Sequence, residues 1–226
     1  MTANTNQTPH CFLFDLDGTL VDTAPDLAAT LNVLRAERGL EPLPFDVIRP
    51  HVSHGARAMV QVGFGIDERD ARFAALRQRF LDLYRGRLMQ DSRLFDGMDE
   101  VLATLENRGV KWGVVTNKPA WLTEPLLRDL GLAPRAACVI SGDSTRNRKP
   151  HPEPLLHASA LVGVAPEQCL YIGDAERDIE AGRAAGMKTL VALFGYLGQD
   201  DRPHEWDADG MVDTPLDILD WLNVHA

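Results

Sequence analysis

Asp15 and Asp17 stand two residues apart at the end of the apolar run "CFLF", within "FLFDLDGTLVDT". In an extended strand, residues i and i+2 point to the same side, so both carboxylates can face one site. At a separation of ~4–5 Å and an effective dielectric near ~20, their repulsion is about 4 kcal/mol. A proton on one of them, or a hard divalent cation with oxygen ligands, would relieve it. A calcium loop of the EF-hand kind does not fit, because its glycine is the sixth residue and Gly18 is the fourth counted from Asp15. Turn propensity, or a capping box over "TAPD" from Thr23 to Asp26, accounts for Gly18 or Asp22. Neither accounts for two acids directly after an apolar strand.

A second acidic stretch, "YIGDAERDIEAG", repeats the arrangement: an apolar strand, then Asp174, then Asp178 one helical turn later. Asp174 is able to complete an oxygen-ligand set for Mg2+, a cation held by a few carboxylates, waters and substrate phosphate. "WGVVTNKP" ends a further strand on Thr116 and Asn117, with Pro119 at a helix start. A hydroxyl and backbone N–H groups at a helix N-terminus cradle an anion, although an ordinary N-cap has the same composition. Lys149, in the proline-stiffened "RNRKPHPEP", supplies positive charge beside a phosphate if it points inward. His51 and His54 have no neighbours in sequence that complete a tetrahedral metal set, so loop packing is expected for them.

The elements that must position these residues follow from periodicity. "CFLF", "WGVVT", "ACVI", "CLYIG" and "TLVAL" read as strands buried on both faces, separated by helical stretches that stop at Gly109, Gly131 and Gly186. That alternation predicts an α/β fold: a Rossmann-like parallel sheet core flanked by helices. "GMVDTPLDILDWL" adds a last short strand and a closing helix. Residues 22–92 carry helical spacing without a strand and are expected to form an inserted α-helical cap domain, with 1–21 and 93–226 as the core. Within the insert, Asp67 to Met89 reads as one long solvated helix with a single apolar stripe.

Composition narrows the function. A net charge of -10 argues against general binding to nucleic acid or anionic membrane. No run approaches a membrane span, and residues 1–9 read as a polar disordered tail rather than a secretory signal. Cys11, Cys138 and Cys169 sit in apolar runs without CxxC spacing, as buried reduced thiols of a cytoplasmic protein would. No GxxxxGK[ST], GxGxxG or GxSxG occurs, which removes support for a P-loop, a dinucleotide fold and a serine hydrolase.

Together "DLDGT", Thr116, Lys149 and "GDAERD", in that order and each after an expected strand, resemble the four motifs of the haloacid dehalogenase superfamily of phosphatases. The helical insert resembles its small cap, as in the phosphoglycolate phosphatase branch. "SHGARAMV" and "WGVVTNKP" are most similar to N-acetylmuramic acid 6-phosphate phosphatases, with His54 standing where a small residue is expected. The resemblance implies Mg2+-dependent hydrolysis of a small phosphorylated metabolite through an aspartyl-phosphate on Asp15, with Asp17 as acid and base. It implies that Asp15, the Asp17 backbone carbonyl and Asp174 hold the metal, and that Thr116, the Asn117 amide and Lys149 hold the phosphate. Asp178 then supports the site from behind, and Ser53, His54 and Arg57 of the cap read the leaving group. The expected assembly is a monomer or weak homodimer. A sugar-phosphate mutase would keep every motif, a dehalogenase would have no use for Asp17, and a catalytically silent binding protein would not need the full set.

Overall fold

Each face of the central strand feeds a different apolar cluster. In β1 (Cys11–Phe14), Phe12 and Phe14 pack with one set of core residues, while Cys11 and Leu13 pack with another. This is the alternation a strand buried on both faces must show. The computed structural model describes residues 9–223, so the tail expected over residues 1–9 lies outside the described residues apart from position 9.

After β1 come β2 (Val21–Asp22), the helices α1 (Ala24–Ala36) and α2 (Phe45–Ile48), a 3-10 segment (Arg49–His54), α3 (Gly55–Phe64) and α4 (Phe73–Arg85). The chain returns through β3 (Arg93–Leu94), which pairs antiparallel with β2. There follow α5 (Met98–Asn107), β4 (Lys111–Val115), α6 (Ala120–Asp129), β5 (Val139–Ile140), α7 (Glu153–Val162), β6 (Cys169–Gly173), α8 (Glu176–Ala184), β7 (Lys188–Ala192), β8 (Gly210–Val212) and α9 (Asp220–Asn223). Among the described residues the main sheet is parallel with order β5-β4-β1-β6-β7-β8. Residues of α5 and α6 cover the Phe12 face, and residues of α7 and α8 cover the Leu13 face. The α/β expectation therefore holds, and Cys11, Cys138 and Cys169 are buried free thiols. No described helix is long and apolar enough to cross a membrane.

Helices α1 to α4 build a separate apolar cluster around Leu31, Met59, Phe80 and Tyr84. The long helix expected from Asp67 to Met89 is shorter. Asp67 and Asp70 accept the N–H groups of Arg69 and Arg72 at 2.9 and 2.8 Å, local turns that hold the backbone out of a helix until Phe73. The "TAPD" capping box does not form either. Thr23 donates to Asp17, while buried Asp26 accepts from the N–H and hydroxyl of Ser92 at 2.9 and 2.7 Å. Asp26 thus ties the outgoing and returning connections of the insert together. The orphan amides at the start of α1 are met from the core: the Tyr196 hydroxyl accepts from Thr23 N–H and Ala24 N–H at 2.7 and 2.9 Å. That same hydroxyl donates to Asp22 at 2.7 Å.

Candidate active site

The strand order places β1 between β4 and β6, so Thr116, Asp15 and Asp174 leave three adjacent strands at the same edge. It is also where the order reverses, the crevice in which open α/β sheets bind ligands. Asp15 N–H donates to Ile172 at 2.9 Å, and Thr116 N–H to Ile140 at 2.9 Å, which fixes both backbones in register with their neighbours. The loop after β1 passes directly over Asp174. Gly18 has φ +86°, and a Cβ there would lie 2.1 Å from Asp174 Oδ2, so only glycine fits.

One carboxylate oxygen from each of Asp15, Asp174 and Asp178 falls within a group no wider than 4.8 Å, and all three residues are buried. The Lys149 ammonium offsets part of that charge, lying 2.8 Å from Asp15 Oδ1 and 2.7 Å from Asp178 Oδ1. It also donates to the Val115 carbonyl at 3.0 Å and the Tyr171 hydroxyl at 2.7 Å. Asp178 approaches this closely because Gly173 has no side chain; a Cβ there would meet the Asp178 Cβ at 2.4 Å. The Arg177 guanidinium also acts on this group, but Asp174 stays perturbed in spite of both cations. Burial, then the charges of Asp15 and Asp178, push the Asp174 carboxyl up to about 7, against the hydrogen bonds from Ser53 and Tyr196. Burial likewise raises Asp15, with Lys149 opposing it. Asp174 Oδ1 is buried without a partner among the described residues, although Oδ2 accepts from Ser53 Oγ at 2.6 Å and Tyr196 N–H at 2.9 Å. An orphaned carboxylate oxygen among hard oxygen donors is the setting a divalent cation fits.

Asp17 is not part of this group. Its Oδ1 accepts from the Thr23 hydroxyl at 2.6 Å and from the Lys118 ammonium at 2.8 Å. Burial would strip the proton from Lys118, but the charge of Asp17, and then Tyr84, hold its pKa above the ordinary value. The Asn117 side chain faces the Lys149 backbone, donating to its carbonyl at 2.9 Å and accepting its N–H at 3.0 Å. It therefore fixes the loop that carries Lys149. The Thr116 hydroxyl accepts from Lys118 N–H at 3.1 Å, which leaves its own proton to donate.

Above the strand ends a cavity of about 1400 Å³ separates the helical insert from the sheet, lined among others by Asp15, Asp17, Thr116 and Lys118. Ser53, His54 and Arg57 also line it. Ser53 reaches Asp174 as described. His54 Nδ1 lies 3.1 Å from the Arg177 guanidinium, and burial followed by that neighbouring charge lowers its pKa. Arg57 forms an exposed ion pair with Glu68 at 3.0 Å.

Motif reading did not single out Lys118, Tyr84, Arg177 or Tyr196. Lys118 lies inside "TNKP" and Arg177 inside "GDAERD", but nothing local distinguishes them from solvated cations. Tyr84 falls on the apolar stripe of α4 with Phe73, Leu76 and Phe80, and its hydroxyl was the only hint of a polar task. Arg177 donates to the Ser53 carbonyl at 2.6 Å and so holds the insert against the acidic cluster.

The sequence profile of haloacid dehalogenase-like hydrolases matches residues 12–192. A phosphoglycolate phosphatase of Xanthomonas campestris pv. campestris is 49% identical over 207 residues, covering 92% of this chain and 93% of the relative. An N-acetylmuramic acid 6-phosphate phosphatase of Pseudomonas putida is 46% identical over 206 residues, covering 91% and 92%. Among solved structures, a "predicted phosphoglycolate phosphatase" from Haemophilus somnus superimposes with a TM-score of 0.83 at 28% identity, over 95% of this chain and 98% of that one.

Proposed function

The chain belongs to the haloacid dehalogenase-like hydrolases, and within that family we propose that it is a Mg2+-dependent phosphate monoester hydrolase working through an aspartyl-phosphate on Asp15. The observation that carries this reading is the convergence of Asp15, Asp174 and Asp178, with an unpartnered Asp174 oxygen, beside Lys149. Asp15 is the nucleophile. Its Oδ1 is occupied by Leu16 N–H at 2.7 Å and by Lys149, and no described donor reaches Oδ2. That oxygen forms the bond to phosphorus as the ester P–O bond breaks, and Asp17 gives its proton to the departing alkoxide. Asp17, then a carboxylate, takes a proton from the water that releases inorganic phosphate from Asp15.

Thr116, the Asn117 amide and Lys149 hold the phosphoryl oxygens, where catalysis is chiefly positioning and electrostatics. Asp15, the Asp17 backbone carbonyl and Asp174 would hold Mg2+, whose charge neutralises the meeting of an anionic nucleophile with an anionic ester. Asp178 keeps Lys149 in place. Residues 22–92 act as a cap that excludes bulk water. A dehalogenase would have no alkoxide to protonate, which leaves Asp17 without a task.

For the substrate, the names of the relatives offer 2-phosphoglycolate and N-acetylmuramic acid 6-phosphate. The cavity of about 1400 Å³, open to solvent on one side, has room for either ester. Turnover of p-nitrophenyl phosphate with Mg2+, abolished by EDTA, is the expected result; no turnover under either condition would leave a binding protein. Release of inorganic phosphate, rather than an isomeric ester, separates hydrolase from mutase. Arg57 is the cap group suited to a substrate carboxylate, and its exposed pair with Glu68 holds it only weakly. Arg57→Ala is expected to raise KM for both acid-bearing esters about fivefold to tenfold while leaving KM for p-nitrophenyl phosphate nearly unchanged. Equal effects on all three would remove Arg57 from substrate reading.

A further inference from the structure

Lys118 carries its charge into the cavity wall in an arrangement that the roles above do not use. Its side chain is only 6% exposed, and its nitrogen lies 2.8 Å from Asp17 Oδ1. The Tyr84 hydroxyl is 2.9 Å from the same nitrogen, which also sits 4.7 Å from the centroid of the Tyr84 ring. Thr23 completes the set by donating to Asp17 Oδ1 at 2.6 Å. Both donors therefore converge on one oxygen of Asp17, and no described donor reaches Oδ2. A carboxyl held by one oxygen has its torsion fixed and offers the other to whatever enters the cavity that Asp17, Lys118 and Tyr84 all line.

These groups also belong to different bodies. Lys118 precedes α6 on the sheet side, and Tyr84 is in the last turn of α4 in the insert. The Lys118–Tyr84 bond therefore forms only when the insert lies against the sheet as it does here. An ion pair that served folding alone would gain little from this place, because the desolvation of two buried charges offsets their attraction and a packed apolar pair would serve as well.

We propose that Lys118 is a positioning residue that aims Asp17 at the leaving group, and that Tyr84 makes this aim conditional on closure of the helical insert. The inference rests on the phosphatase reading given above, in which Asp17 protonates the departing oxygen. In this role Lys118 acts through Asp17 and not on the phosphoryl group. Losing it should therefore matter most when the leaving group needs a proton.

The test compares kcat/KM for phenyl phosphate and p-nitrophenyl phosphate, esters of nearly the same shape whose leaving groups differ in basicity. kcat/KM reports the transfer to Asp15, the step in which the leaving group departs. Lys118→Met, which keeps the stem, is expected to lower kcat/KM for phenyl phosphate by about 100-fold and for p-nitrophenyl phosphate by less than about tenfold. Tyr84→Phe retains the ring beneath the ammonium and should show the same inequality at smaller amplitude; it carries the test if Lys118→Met does not fold. Equal losses on both esters would overturn the proposal and make Lys118 a phosphate ligand or a structural ion pair, and so would no loss on either. Wild-type protein that hydrolysed neither ester would overturn the phosphatase reading itself, an outcome distinct from equal losses in the variants.

Discussion

Asp15→Asn is expected to lower turnover of p-nitrophenyl phosphate by at least about 10⁴-fold and to leave the protein folded. The amide has no anionic oxygen with which to attack phosphorus, so the covalent route closes. Folding survives because the retained carbonyl oxygen still accepts the Leu16 N–H and the Lys149 ammonium, the contacts that Asp15 Oδ1 makes at 2.7 and 2.8 Å. One charge also leaves a crowded group: Asp15 is among the causes that push Asp174 up. Acid-quenched wild-type protein should carry one added phosphoryl group by mass, localised to the peptide containing Asp15, and the Asp15→Asn protein should carry none. Turnover within about tenfold of wild type, far inside the loss expected for a missing nucleophile, would end the covalent mechanism.

The acids of the site were legible because a strand end constrains direction. Once "CFLF" and "CLYIG" are read as central strands, Asp15 and Asp174 can only emerge at the sheet edge where ligands bind. Alternation and glycine stops sufficed for the sheet for the same reason, since each depends on neighbours along the chain. What escaped was set by distant partners. "TAPD" has the composition of a capping box, but Asp17 claims the Thr23 hydroxyl, and Ser92, just before the returning strand, claims Asp26. Lys118 looks like any lysine at a helix start, and its burial depends on Tyr84, contributed by another body 34 residues away. Arg57, in the expected cap, is exposed and paired with Glu68, while Arg177, whose surroundings in sequence carry no such signal, grips the Ser53 backbone. Local pattern identifies which groups can react, and tertiary packing decides which of the remaining polar groups serve them.

Mg2+ should stabilise the protein more at pH 8.5 than at pH 5.5, and Asp174→Asn should remove the difference. A carboxyl whose pKa is higher in the fold than in the unfolded chain binds its proton more tightly when folded. Its contribution to stability is complete below about pH 4 and is lost as pH rises through the folded value. For Asp174 without a cation, the rise from 3.8 to about 7 corresponds to a loss on the order of 4 kcal/mol once the group is ionised. The cause is burial, reinforced by Asp15 and Asp178, and no described donor meets the charge on Oδ1. In EDTA, the wild-type melting temperature should therefore fall relative to that of the Asp174→Asn protein as pH rises from 5.5 to 8.5. Saturating Mg2+ should restore it mainly at the higher pH, where the ionised carboxylate binds the cation without first losing a proton. The neutral amide can still accept the Ser53 and Tyr196 hydrogen bonds, so Asp174→Asn is expected to match or exceed wild type in EDTA at pH 8.5 while hydrolysing phosphate esters about 10³-fold more slowly. Residues arranged to hold a cation are strained without it, so gained stability with lost activity is the combined signature of a metal ligand. Thermal melts of both proteins at the two pH values, with EDTA and with Mg2+, read it directly. An equal Mg2+ increment at both pH values in wild type, or an increment that survives Asp174→Asn, would show that Asp174 does not hold the cation.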